Sequence, residues 1–304
     1  MKNSRNSRNR NAGNRSTGKT AGRIAAWAAA FLMALTGPAG ICRADVALAS
    51  DGVQTGEETQ TGSGTDAQES GQEDFTDLLS AEQKELLEEL LEKVPLKPGM
   101  RVLDLGCGNG LTSVFLAKEY GVQVFALDLW ISATDNYRRF REAGVEQAVI
   151  PIHADALDMP FADEFFDAVI SVDAYHYVGN NDTFFPEKIR PLLKQNGIAA
   201  IAFPGMKYEV KENIPDEMRP YWPEEALEMW HSINWWRPKF ENELNHLNMW
   251  EMGCFEQAWN DWLNTDNPYA VGDREMIRTD NGRYMNIIGI TGTLLHAPSA
   301  GHKE

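Results

Sequence analysis

Cysteine and histidine are scarce in this chain of 304 residues, which has three cysteines and six histidines. Cys42, Cys107 and Cys254 are too few for a disulfide framework, and no cysteine spacing matches a zinc site. The histidines are scattered without the spacing of metal ligands. We therefore expect neither a disulfide-stabilised fold nor a bound metal.

The chain also lacks an apolar run as long as the about 20 residues of a membrane-spanning helix. An apolar stretch at residues 24–35 follows a segment rich in Arg and Lys and precedes the small residues Ala47-Leu48-Ala49. This order predicts that residues 1–49 are a secretory signal. An uncleaved anchor with N-terminal membrane contact, or an upstream extension from a misassigned start codon, remains open.

Basic residues are few beyond the N-terminus, because residues 50–304 hold 20 of the 28 Lys and Arg but 44 of the 45 acids. Nucleic acid would repel a chain with this excess of negative charge, so we exclude a DNA or RNA substrate and expect a small-molecule substrate. Residues 50–77 have few large apolar groups, which predicts a disordered acidic linker. Residues 78–304 are long enough for one full domain.

A glycine-rich segment follows a short apolar run near residue 100. Val102, Leu103 and Leu105 flank Asp104, and glycines then fall at every second position, at 106, 108 and 110. The apolar run predicts a buried parallel strand, and the glycines predict a tight turn that a ligand can approach closely. Residues 111–119 have helical spacing. Strand, turn and helix form the nucleotide-binding start of a doubly wound α/β fold.

The details of this turn favour a cationic ligand. A dinucleotide fold would have G-x-G-x-x-G around a pyrophosphate, whereas this chain has G-x-G-x-G with Asp104 two residues before it. A carboxylate there would repel a pyrophosphate and would suit an ammonium or a sulfonium group.

Strand and helix patterns alternate from residue 100 onward. This alternation predicts a parallel sheet with helices on both faces. The predicted strands are 101–105, 122–127, 148–152, 166–172 and 197–203, with a short strand near 249–254 and a last one near 284–295. The predicted helices are 110–119, 132–143 and 182–194, with a further one near 237–247. Another helix, which Ser80 and Gln83 would cap, comes before the first strand.

The glycine turn resembles motif I of the class I S-adenosylmethionine (SAM)-dependent methyltransferases, a group that includes the type 11 methyltransferases. The resemblance implies SAM as the cofactor and a Rossmann-like seven-stranded sheet with an antiparallel last strand. It further implies that the turn lines the methionine part of SAM, through Asp104, Gly106, Cys107, Gly108 and Gly110. Because SAM is made in the cytosol, this conflicts with an export signal, and the compartment stays open.

Two further acids fit the same resemblance. Asp128 ends the second predicted strand, where it would accept both ribose hydroxyl bonds. Leu129 and Trp130 would lie on the adenine face, although Trp130 fits the core equally well. The run from His153 to Phe161 resembles the family's G-D-A-x-x-L-P-F segment, which implies that Asp155 and the N–H of Ala156 bind adenine.

Polar and aromatic residues follow the strand at 166–172, at the edge where such sheets bind ligands. We expect Asp173 to contact the cofactor, and Tyr175, His176 and Tyr177 to face the methyl acceptor. His176 is the candidate general base, with a structural histidine as the alternative. The stretch also resembles cyclopropane fatty-acid synthases, but His176 and Tyr177 replace that family's Glu-His pair, which argues against cyclopropanation.

Seven tryptophans lie between residues 205 and 265, after the fifth strand. They predict an aromatic-rich cap at about 205–236 and 255–280, able to bind apolar or cationic groups or to form its own core. The sequence thus predicts a SAM-dependent methyltransferase with a small-molecule acceptor. A lipid-modifying enzyme of the cyclopropane-synthase kind and a non-catalytic exported binding module are the alternatives. The acceptor and the oligomeric state are not predicted.

Overall fold

The structure, a computed structural model, describes residues 81–264 and 268–295. The predicted signal at 1–49, the predicted linker at 50–77 and the cap residue Ser80 lie outside these ranges. None of the helices within them combines the length and the apolar character needed to cross a membrane.

Seven strands form one sheet in the order β3-β2-β1-β4-β5-β7-β6. All pairs formed among β1 to β5 are parallel. Strand β7 runs antiparallel to both β5 and β6. This confirms the predicted seven-stranded sheet with an antiparallel last strand. The strands are β1 Arg101–Leu105, β2 Gln123–Asp128, β3 Val149–His153, β4 Phe166–Val172, β5 Leu193–Met206, β6 Leu244–Glu251 and β7 Met285–Leu294.

The helices that precede and follow the first strands have clear boundaries. Helix α2 begins after Gly110 and ends before Gly121, both with left-handed backbone. Helix α3 begins after Ser132, whose side chain accepts a hydrogen bond from the N–H of Asp135 at 3.1 Å. The helices are α1 Ala81–Leu91, α2 Leu111–Tyr120, α3 Ala133–Glu142, α4 Glu224–Leu227, α5 Ile233–Trp236, α6 Phe255–Asn264 and α7 Pro268–Asp280.

Two predicted helices differ from the structure. The helix predicted at 182–194 is present in part and irregular, because a π-helix, Phe185–Ile189, is followed by a 3-10 turn, Arg190–Leu192, before β5 begins. Pro191 has no backbone N–H to donate, which a regular α-helix would need at this position. Near 237–247 only Arg237–Lys239 is helical, residues 240–243 form a turn, and β6 begins at Leu244, where it pairs with β7. Tertiary pairing outweighs the local helix pattern there.

Alternating strand residues build a core on each face of the sheet. Val102, Ile170 and Ala200 pack with α1, α2 and α3 on one face. Leu103, Val169 and Ile201 face the other side, which the turns of residues 185–192 and the α5 residue Trp236 cover. A third cluster, beyond the end of β5, holds much of the predicted aromatic cap: Met206, Val210, Met218, Trp222, Leu227, Trp259, Met276, Tyr284 and Met285.

Candidate active site

A cleft of about 90 Å³ lies at the carboxyl ends of β1, β2, β3 and β4. Parallel sheets of this kind bind ligands at this edge. The cleft is lined by Leu105, Gly106, Leu127, Asp128, Leu129, Trp130, Ala154, Asp155, Ala156, Asp173, Ala174, Tyr177 and Val178. The structure thus brings together residues that the sequence placed at the ends of four separate strands.

The glycine turn after β1 depends on glycine for its backbone and for its packing. Gly106, Gly108 and Gly110 have φ of 74°, 54° and 83°, in the left-handed region that other residues avoid. A Cβ on Gly106 would lie 2.2 Å from the Cβ of Ala174, and one on Gly110 would lie 2.4 Å from the ring of Phe140. The turn therefore packs tightly against the loop after β4 and against α3.

Asp104 supports this turn from inside β1. It is 1% exposed, it accepts a 2.6 Å hydrogen bond from the hydroxyl of Ser113, and it is not among the described residues that line the cleft. Burial raises the pKa of its carboxyl to about 7, the charge of Asp128 adds to the rise, and the Ser113 hydrogen bond opposes it. Direct contact between Asp104 and a ligand therefore stays a prediction.

Asp128 organises the loops on both sides of the cleft. Its Oδ2 accepts the N–H of Gly108 at 2.9 Å, and its Oδ1 accepts those of Trp130 and Ile131 at 2.7 and 2.8 Å. A carboxylate has about four acceptor positions, so this network leaves about one, on Oδ2, for a ligand. Asp155 is exposed at the rim, where its Oδ1 accepts the N–H of Leu157 at 2.8 Å.

Two buried polar residues that the sequence did not single out complete the turn's support. Asn136 in α3 donates its side-chain amide to the carbonyl of Gly108 at 2.8 Å, and Arg139 donates to the Asn136 Oδ1 at 2.9 Å. Ser113 in α2 holds Asp104, as described above. Ser113 follows Thr112 in the first turn of α2, and the sequence does not show which of the two hydroxyls is buried. Asn136 lies in a strongly polar helix, where no pattern marks it.

The loop after β4 brings Asp173 and Tyr177 to the cleft. Asp173 has φ of 55°, its N–H donates to the carbonyl of Ala202 at 2.7 Å, and its side chain is 1% exposed. Neither of its carboxyl oxygens has a hydrogen-bond partner among the described residues. The ring of Tyr177 meets that of Trp130 edge to face, with centroids 6.0 Å apart.

Tyr175 and His176 are not among the described residues that line the cleft, although the ring of His176 contacts that of Tyr177, with centroids 4.0 Å apart. Tyr175 packs among Phe203, Phe184 and Trp236 in the aromatic core, and its buried hydroxyl has no hydrogen-bond partner there. His176 is 1% exposed, and burial lowers the pKa of its ring to about 3. Of the three residues predicted to face the acceptor, the structure brings Tyr177 to the cleft.

The charges of the cleft match a cationic ligand. Asp128, Asp155 and Asp173 line it, and none of its described lining residues is Lys or Arg. Three carboxylates without a basic partner would repel a pyrophosphate and attract an ammonium or a sulfonium. The aromatic faces of Trp130 and Tyr177 add a surface suited to a ring or a cation.

Comparison with known proteins identifies the same part of the chain. A family model described as a methyltransferase domain matches residues 102–197. Methyltransferase GfsG of Streptomyces halstedii is 31% identical over 127 residues, 41% of this chain and 45% of that protein. Cyclopropane-fatty-acyl-phospholipid synthase of Escherichia coli K12 is 33% identical over 133 residues, 43% of this chain and 33% of that enzyme. The chain thus matches less than half the length of these curated relatives.

Among solved structures, geranyl diphosphate C-methyltransferase from Streptomyces coelicolor A3(2), in complex with Mg²⁺, geranyl-S-thiolodiphosphate and S-adenosylhomocysteine, superposes with a TM-score of 0.57. The two share 16% identity over 70% of this chain and 76% of that one, a likeness that speaks to the fold. Residues 102–197 are therefore similar in sequence to a methyltransferase domain, and the fold of the described residues is similar to that of this SAM-dependent methyltransferase structure.

Proposed function

We propose that this protein transfers a methyl group from SAM to a small-molecule acceptor. The observation that carries the proposal is the cleft itself, in which a glycine turn, the carboxylate of Asp128 and two further acids meet at the carboxyl ends of four parallel strands. The methyltransferase domain match covers the glycine turn and all three acids.

The residues present fit SAM. The remaining acceptor position on the Oδ2 of Asp128 would take one ribose hydroxyl, with Asp155 and the N–H of Ala156 at the adenine end. Leu129 and Trp130 are 48% and 44% exposed beside these groups and offer apolar surface to the base. The methionine part would lie along the backbone at Gly106. The acids and the lack of basic lining residues suit the charge of this cofactor.

When bound, SAM supplies an electrophilic methyl group on a sulfonium. The protein's task is to align an acceptor with that methyl group and to keep water away from it. The close packing of Gly106 on Ala174 fixes the distance between the β1 turn and the β4 loop. Asp128 fixes the β1 turn relative to the β2 loop through its three backbone hydrogen bonds. Both contacts hold the walls of the cleft in one arrangement.

The cyclopropane synthase relative raises lipid as a second class of acceptor. The residues next to the cleft argue against it, because His176 and Tyr177 stand where the resembling run has a Glu-His pair. His176 is also buried, which lowers the pKa of its ring to about 3, so the ring stays neutral at ordinary pH.

Label transfer from methyl-labelled SAM separates these acceptors. We expect the full chain to label compounds in a panel of small amines, alcohols and carbon acids, and to leave phospholipid vesicles unlabelled. Label in lipid, or in no acceptor, would contradict the proposal.

The role of Asp128 has its own test. Asp128→Asn replaces one acceptor oxygen by a donor, so SAM affinity measured by calorimetry should fall at least about tenfold, a loss of roughly 1.4 kcal/mol. Asp158→Asn is the matched control, because Asp158 is exposed in the neighbouring loop and does not line the cleft. Unchanged affinity in Asp128→Asn would refute the assigned role.

A further inference from the structure

Asp173 is a buried acid without a partner. It follows β4 directly, it is 1% exposed, and neither of its oxygens accepts a hydrogen bond from any described residue. None of the described Lys, Arg or His side chains forms an ion pair with it. Burying an acid in this way costs free energy of folding, on the order of 1–3 kcal/mol for a neutral polar group and more for a charge.

The backbone at Asp173 adds to that cost. Its φ of 55° lies in the left-handed region, where a residue with a Cβ is strained by on the order of 1 kcal/mol. This conformation keeps its N–H on the carbonyl of Ala202 while the carboxyl lies in the wall of the cleft. Strain and an unsatisfied carboxyl at one residue, in the wall of the cleft, indicate a residue retained for what it binds.

Two aromatic rings lie at the same part of the cleft. Trp130 and Tyr177 both line it, with ring centroids 6.0 Å apart at an interplanar angle of 73°. Asp173 is close enough to Tyr177 for its charge to raise the pKa of the phenol, in addition to the larger effect of burial. A carboxylate beside aromatic faces is a site for an organic cation, since the rings attract positive charge and the acid neutralises it.

We propose that Asp173, together with Tyr177, binds the ammonium group of an amine acceptor, so that the substrates are aliphatic amines. This inference rests on the proposed function and names its substrate class. The carboxyl of Asp173 releases its proton to water as the ammonium binds, and the ammonium then gives one proton to the resulting carboxylate, which frees the nitrogen lone pair. That pair forms the N–CH₃ bond while the S–CH₃ bond breaks and its electrons pass to sulfur. The Asp173 proton then leaves to water with the methylated product.

As a cation for Asp173, the acceptor is favoured over the sulfonium of the cofactor, and the cofactor's own ammonium is distinguished by the test below. A carboxylate paired directly with the sulfonium would stabilise a charge that disappears in the transition state, which would slow the transfer. An acceptor ammonium has the opposite need, because it must lose a proton before it attacks. The other two acids of the cleft, Asp128 and Asp155, lie at the ends of β2 and β3, away from β4.

The test uses the full chain saturated with S-adenosylhomocysteine and two probes of matched shape, 2-phenylethylamine and 2-phenylethanol. Calorimetry should show that the amine binds the wild type at least tenfold more tightly than the alcohol. In Asp173→Asn this preference should disappear, while affinity for S-adenosylhomocysteine changes less than about threefold. Asp158→Asn, in an exposed loop position, should keep the wild-type pattern.

Each result has one reading. Equal binding of amine and alcohol to the wild type, or a preference that persists in Asp173→Asn, overturns the inference. A large loss of S-adenosylhomocysteine affinity in Asp173→Asn also overturns it, because Asp173 would then serve the cofactor. Failure of the wild type to bind S-adenosylhomocysteine instead refutes the proposed function.

Thermal unfolding of Asp173→Asn provides an independent check. Burial raises the pKa of this carboxyl well above its ordinary value, so its ionisation opposes folding at neutral pH. The variant should therefore unfold at the same or a higher temperature than the wild type at pH 8. A lower temperature would assign Asp173 a structural role and overturn the inference.

Discussion

At the scale of single residues, buried acids define the site. Asp104, Asp128 and Asp173 are each at most 2% exposed, yet they accept different numbers of hydrogen bonds from their surroundings. Asp128 accepts three backbone N–H groups, Asp104 accepts one hydroxyl, and Asp173 has no partner among the described residues. Asp128 thus holds the loops together, Asp104 ties β1 to α2 through Ser113, and Asp173 lines the cleft without a described partner.

The pH dependence of stability tests the environment of Asp104. Its pKa of 3.8 in an unfolded chain rises to about 7 in the fold, so the folded state binds more protons between these values. The free energy of unfolding should therefore fall as pH rises through this window. Asp104→Asn keeps an acceptor for Ser113 and has no carboxyl to titrate. Between pH 5 and pH 8, the free energy of unfolding measured with urea should therefore fall by about 2–3 kcal/mol less in the variant than in the wild type.

His176 acts in the opposite direction, and the comparison removes its effect. Its pKa falls from 6.5 to about 3 on burial, so its contribution to stability is lost as pH falls through this window. Both proteins carry His176, so the difference between them reports Asp104 alone. An identical pH dependence in the two proteins would contradict the assigned environment.

The positions of individual acids at the cleft were predictable from sequence only where a strand ended beside them. Asp128, Asp155 and Asp173 follow strands and do line the cleft, as the chain order indicated. Asp104 lies within its strand, and alternation could not show that it packs on Ser113. Tyr175 and His176 share the β4 loop and its 3-10 turn, Tyr175–Tyr177, with Tyr177, but the first two are buried and Tyr177 lines the cleft. Such a turn leaves no mark in the sequence.

At the scale of elements, the contact between the β1 turn and the β4 loop sets the geometry of the cleft. A Cβ on Gly106 would meet the Cβ of Ala174 at 2.2 Å, closer than real side chains approach. Ser171 also donates its hydroxyl to the carbonyl of Leu105 at 2.8 Å, which ties β4 to the end of β1. The two loops are therefore held against each other by close packing and by a hydrogen bond.

A double-mutant cycle measures this contact. Gly106→Ala should cost about 2–4 kcal/mol, since it adds a clash to left-handed strain. Gly99→Ala is the control: Gly99 has φ of 81°, but a Cβ there would meet nothing within 4 Å. We expect it to cost about 1 kcal/mol. Ala174→Gly should restore at least about 1 kcal/mol to Gly106→Ala, measured by urea unfolding. Equal costs at both glycines, with no rescue, would contradict the contact.

Elements were predictable where local pattern and tertiary contacts agreed. The ends of β1 and β4 match the prediction because their apolar runs stand between polar residues. The pattern that predicted a helix at 182–194 did not account for the prolines of that segment. The pattern that predicted a helix near 237–247 did not account for pairing with strand β7. Pairing with a strand some forty residues later cannot be seen in a local window.

At the scale of the whole molecule, charge and fold select the ligand. The sheet presents four strand ends at one cleft, and the acids there outnumber the basic residues as they do along the chain. A glycine turn in a doubly wound sheet serves both dinucleotides and SAM. In this protein the three acidic side chains of the cleft favour SAM over a dinucleotide.

Calorimetric titration of the full chain with SAM and, separately, with NAD⁺ tests this account most directly. One ligand carries a sulfonium and an ammonium, and the other carries a pyrophosphate. We predict that SAM binds at one site per chain and that NAD⁺ gives no binding at the same concentrations. Binding of NAD⁺ in preference to SAM, or no binding of SAM, would contradict the central claim that this cleft is built for a cationic nucleoside.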